Sequence, residues 1–128
     1  MIVTALSKDT LMYGNSATNN FKKLLEVTSN EDLVYLTNYK KPIIRNYAFD
    51  GLEERNYPEI RNIFIQHIND TIEQVNINAG CTTYPENVRT HMLLGLHPVS
   101  SKSKFKYSKK EFDAYFKKYV YDFTKSSR

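Results

Sequence analysis

Three histidines, a single cysteine and a pair of adjacent glutamates are the side chains in this sequence best suited to acid–base or nucleophilic work. Their spacing argues against most of that chemistry. His91 and His97 stand six residues apart and do not share a helix face, and no HExxH pattern or calcium-loop spacing of carboxylates occurs. His67 falls on an apolar stripe, which suits a histidine at the edge of a core better than a ligand or a base. Cys81 is the only cysteine, so neither an intramolecular disulfide nor a cysteine-based zinc site can form. A nucleophilic Cys81 requires a distant histidine to activate it, and a buried thiol is the simpler expectation. Glu53 and Glu54 sit near a predicted helix end, as a solvated face. No glycine-rich phosphate loop is present. Asn69-Asp70-Thr71 matches a glycosylation sequon by spacing alone. No catalytic residue, metal ligand or cofactor is expected, and the chain reads as a non-enzyme.

The elements that position these residues follow from composition and periodicity. The 128 residues suit one domain spanning 1–128. With 41% hydrophobic and 25% charged residues, the composition is that of a folded domain. No apolar run reaches the ~18 residues of a membrane span. The first fifteen residues lack a basic start followed by a long apolar region. A periplasmic or cell-envelope location is expected if a signal peptide has been removed, and a cytoplasmic one otherwise. Charge is uneven. Residues 102–128 hold nine Lys/Arg against three Asp/Glu, whereas residues 1–101 carry a net −2.

Few glycines and prolines, four of each, favour helices joined by short turns. Ser16 is a good helix cap, with Phe21, Leu24, Leu25 and Thr28 following on one face. Ser29 and Asp32 have capping-box spacing, with Leu33 and Leu36 inward. Pro42 suits the first turn of a helix that carries Ile44, Tyr47, Ala48, Gly51 and Leu52 at helical spacing. Ala48 and Gly51 let another helix approach closely. Pro58 is expected to start the next helix, with Ile60, Ile63, Phe64, His67 and Ile68 on one face. Val75, Ile77 and Ala79 alternate with asparagines, as in an extended segment with one side covered. Thr83 and Glu86 have capping-box spacing and are expected to open a helix containing Val88, Met92, Leu93 and Leu96. Ser108 and Glu111 form the third and clearest capping box, with Tyr107 and Phe112 placed as a hydrophobic staple. From Phe112 the apolar residues keep helical rhythm, accompanied by lysines.

A short helix, a tight proline turn, then Pro42, Ile44 and Arg45 leading a helix with alanine and leucine in register resembles the turn and second helix of a HEAT-type repeat. Tyr39 stands where that family usually has an aspartate, which puts its aspartate–arginine turn contact in doubt. The repeat pattern covers roughly residues 30–70. Residues 10–95 more widely, through "LMYGN" and "HINDTIEQVNINAGC", are similar to small bacterial HEAT-repeat-like proteins. The resemblance implies an all-α fold, a short right-handed helical solenoid or bundle. It would have one extended segment near 72–82 and a C-terminal amphipathic helix. Its core would span about 16–97, a linker about 98–107 and the last helix about 108–126.

Such scaffolds bind other proteins. The expected function is a protein-interaction module, in concrete form an immunity or inhibitor protein that blocks a partner protein. Ten tyrosines without tryptophan suit recognition. The candidate contact residues are Tyr35, Tyr39, Lys40, Lys41 and Tyr57, with Pro42 and Arg45 holding the turn. Arg45 is expected to hydrogen-bond carbonyls or a neighbouring carboxylate. The alternative is a nucleic-acid-binding helical domain using the basic C-terminal region. Because basic residues are confined there, nucleic acid is expected to bind at most weakly and without sequence preference.

Overall fold

One helix, Pro42–Glu54, is buried on nearly every side, and the rest of the domain is arranged around it. The computed structural model describes residues 11–12, 19–79 and 81–121. In chain order its elements are β1 (Leu11–Met12), α1 (Asn19–Val27), α2 (Asn30–Leu36), α3 (Pro42–Glu54) and α4 (Ile60–Gln66). They are followed by β2 (Gln74–Ala79), β3 (Thr82–Asn87), α5 (Val88–Leu94) and α6 (Lys109–Tyr115). A wider, π-helical segment, Phe116–Tyr121, continues α6. The expected cap at Ser16 lies outside the described residues.

Local chemistry sets the boundaries. Two of the three expected capping boxes form: Ser29 with Asp32 opens α2, and Ser108 with Glu111 opens α6, whereas Thr83 and Glu86 lie in β3. Pro42 occupies the first turn of α3, where its missing N–H costs little. The helix ends in a left-handed residue, Asn56 at φ 54°, a conformation asparagine tolerates better than most side chains. There the Tyr57 N–H returns to the Leu52 carbonyl at 3.0 Å and the Asn56 N–H to that of Glu53 at 3.1 Å. Arg55, next to this turn, donates to the carbonyls of Leu25 and Thr28 and so closes the C-terminal end of α1.

The small residues of α3 have the close neighbours the periodicity called for. A Cβ on Gly51 would stand 3.0 Å from Leu25 Cδ2 and 3.1 Å from Leu33 Cδ1, so α1 and α2 both press on that point. Ile44, Ala48 and Leu52 are fully buried, with Leu33, Ile60, Phe64, Met92 and Leu93 in the same core.

The chain is not all-α, which corrects the expectation. The extended segment pairs as a sheet: β2 and β3 run antiparallel from Gln74↔Asn87 to Ala79↔Thr82, and the two-residue β1 lies parallel to β2. Val75 and Ile77 face the core and Asn76 faces out, as their alternation requires. The helix expected from Thr83 starts later. Pro85 disfavours helical geometry at Tyr84, Thr82, Thr83 and Tyr84 favour strands, and these residues pair with β2. The helix begins at Val88, where the Asn87 side chain accepts from the Thr90 N–H at 2.8 Å. Pro58 likewise precedes its helix, which begins at Ile60. Residues 98–107 carry no regular element, and Ser101, Ser103 and Tyr107 within them are buried.

Candidate binding cleft

At the N-terminal end of α3, the α2–α3 turn and a loop nearly thirty residues later meet around one arginine. Arg45 sits in the first turn of that helix, and its Nη1 donates to the Tyr39 carbonyl at 2.8 Å. Nη2 lies 3.2 Å from Glu73 Oε1. Nε lies 3.2 Å from Asp70 Oδ2, an ion-pair contact without hydrogen-bond alignment. Asp70 also meets His67 Nδ1 at 2.8 Å. A carboxylate can only accept, so Nδ1 carries the proton of this bond. Nε2 of His67 is shielded and has no hydrogen-bond partner among the described residues.

The loop that brings Asp70 and Glu73 here is held from the other side by Arg89. Its Nη1 donates to the Ile68 carbonyl at 2.8 Å, and its backbone N–H to the Asp70 carbonyl at 3.0 Å. Between the α2–α3 turn and this loop lies an open cleft of about 370 Å³. Its walls are Asn38, Arg45, His67 and the run Asn69–Glu73. Ile72 stands on its rim at 94% exposure. Tyr35, one helical turn before Asn38, is 73% exposed. Among the described residues Val27, Ile65, Val99 and Phe116 are also exposed, and Ile72 is the one of these large apolar side chains that lines the cleft.

A second polar cluster lies between α3 and α5. His91 Nε2 is 2.7 Å from Asp50 Oδ1, and Nδ1 is 3.7 Å from Glu86 Oε1. Burial alone works against a charged ring, but the Asp50 and Glu86 carboxylates reverse this and push the His91 pKa up to about 10. The Nε2 contact ties α5 to α3, and the Glu86 carboxylate stands near the other ring nitrogen. Burial raises the pKa of the neighbouring Glu53, against the pull of the Lys102 N–H that donates to it at 2.9 Å. Among the described residues, no group of three or more His, Cys, Asp or Glu side chains is arranged to hold a metal ion. Cys81 is exposed.

The candidate residues read from sequence are only partly brought together. Tyr39, Lys40 and Lys41 share the α2–α3 turn, with Lys40 and Lys41 exposed, and Tyr35 stands in the last turn of α2 just before it. Tyr57 lies past the other end of α3, and thirteen residues at 1.5 Å rise put ~20 Å between the two groups. Tyr39 and Tyr57 also pack against the core, whereas Tyr35 does not. Asn38, Asp70, Ile72 and Glu73 were absent from the sequence candidates. One signal for Asp70 existed: it follows His67 at a spacing of three, close enough for the two side chains to meet across a turn. Nothing in the sequence marks Ile72 as exposed.

In the basic C-terminal region, Lys109 is paired with Asp113 at 2.8 Å and Lys102 with Glu54 at 3.1 Å, while Lys104, Lys106, Lys110 and Lys117 are exposed. Arg89 anchors the π-helical segment: Nη2 donates to the Tyr119 carbonyl at 2.8 Å, and the guanidinium lies 4.9 Å from the Tyr119 ring centre. No described helix is long and apolar enough to cross a membrane. A scan of family models, a search of curated proteins and a search of solved structures found no match.

Proposed function

We propose that this chain is a protein-interaction module and that it meets its partner at the α2–α3 turn and the 69–73 loop. The observation that carries the reading is the exposure of Ile72 on the wall of the cleft, with a second exposed large side chain, Tyr35, in the last turn of the α2 helix that leads to Asn38. Large apolar contacts beside a polar recess are the usual composition of an interface centre. The loop beneath is tied down by Arg45 and Arg89, so little ordering entropy is lost when a partner arrives. The HEAT-type likeness over residues 30–70 points the same way, since that family binds proteins. A partner-blocking role, as an immunity or inhibitor protein, needs no more than such a surface.

The test is a selection of random displayed peptides against the intact protein, counter-screened with the Tyr35→Ala/Ile72→Ala double variant. The reading expects enriched peptides that bind the wild type and lose about tenfold or more in affinity on the double variant, the loss of one hot-spot contact. Peptides that bind both proteins equally, or no enrichment, contradict it.

A further inference from the structure

We infer that the cleft between Asn38 and Glu73 accepts a basic side chain, a lysine or arginine head group presented by the partner. This rests on the interaction reading above and names the chemistry of what is bound. The argument is one of charge and of hydrogen-bonding valence. The cleft is lined by one cation, Arg45, and two carboxylates, Asp70 and Glu73. Arg45 is already committed to both carboxylates and to the Tyr39 carbonyl, so it has little left to offer an anion. The surplus charge on the walls is negative.

The available acceptors are also concentrated here. Glu73 is 54% exposed at its side chain and meets Arg45 through Oε1, so much of its carboxylate is open to a second donor. The side-chain oxygens of Asn38 and Asn69 add neutral acceptors on the walls. His67 is a wall residue only 6% exposed, and its Nε2, without a hydrogen-bond partner among the described residues, is enclosed and is not among the acceptors open to the ligand. A donor-rich cation satisfies such a set, and an anion does not. Lys40 and Lys41 are near in sequence, yet neither lines the cleft. Ile72 at the rim supplies apolar surface for the methylene stem of a long basic side chain. A basic residue next to an apolar one is therefore the partner signature that fits.

The experiment is a backbone-amide NMR titration of the full chain with two capped amino acids of nearly equal shape. One is N-acetyl-arginine methylamide and the other N-acetyl-citrulline methylamide, which lacks the charge. Saturable shifts confined to residues 38, 45 and 69–73, with arginine binding at least about tenfold tighter than citrulline, are expected from a charge-assisted contact. Glu73→Gln should remove that preference while leaving the remaining amide spectrum unchanged. Equal binding of the two compounds, shifts elsewhere, or an arginine preference that survives Glu73→Gln overturns the inference. The peptide selection separates the two proposals. Enriched peptides that depend on Tyr35 and Ile72 but carry no basic residue keep the interaction surface and remove the cation-accepting cleft. Absence of Tyr35- and Ile72-dependent peptides removes the surface itself.

Discussion

Arg45 shows how much one side chain organises here. It joins the α2–α3 turn to a loop some thirty residues later through a carbonyl and two carboxylates. Arg45→Ala leaves Asp70 and His67 in a partly buried pair without their cation. It should lower stability by about 2 kcal/mol in urea unfolding, since removing one partner costs more than the pair contributes. His91 makes a different prediction, on pH. Its folded pKa, about 10, is above the ordinary 6.5, so the folded state holds a proton that the unfolded state releases. The resulting stability is fully present below pH 6.5 and is lost as pH rises through 10. The stability gap between wild type and His91→Gln should therefore shrink steadily from pH 7 to pH 10 in denaturant titrations. A constant gap means His91 is neutral in the fold. The sequence calls for carbonyls or a carboxylate at Arg45 without naming Asp70 or Glu73 and holds no sign of the His91 cluster, because Asp50, Asp70 and Glu73 are brought to their partners by tertiary structure.

At the scale of elements, what was legible had a local cause. Capping boxes at Ser29 and Ser108, the proline turn at Pro42 and the apolar rhythm of α3 act within a few residues, and the structure contains each of them. The sheet was half legible. The alternation of Val75 and Ile77 showed an extended segment, but its partner strand was hidden by a capping-like pair, Thr83 and Glu86. Strand pairing decides that segment, and pairing is a long-range event that spacing does not encode. The same helix that defines the core holds an anomaly. Asn46 is fully buried in α3, and neither atom of its amide has a hydrogen-bond partner among the described residues. Asn46→Leu keeps the volume close and removes two unsatisfied groups. It should raise stability by about 1–2 kcal/mol, read as a higher melting temperature. A fall would mean that the amide has a partner.

At the scale of the whole molecule, the exposed lysines of the C-terminal region and the cleft belong to different parts of the chain. The exposed lysines of residues 102–118 lie on the C-terminal segment and α6, whereas Ile72 lines the cleft beside the start of α3 and Tyr35 is exposed on α2. Few phosphates can be neutralised by so short a basic segment. Binding to generic duplex DNA should be weak and disappear by about 0.2 M salt in a fluorescence anisotropy titration. Sequence-selective binding at physiological salt would instead favour the nucleic-acid alternative. The central claim is that the cleft side, and not the lysine side, is the contact surface. The direct measurement is the map of backbone-amide shifts produced by the tightest peptide from the random selection. The account predicts shifts clustered in residues 35–45 and 67–73, with residues 109–121 unchanged. Shifts clustered along 109–121, with 35–45 and 67–73 silent, would contradict it.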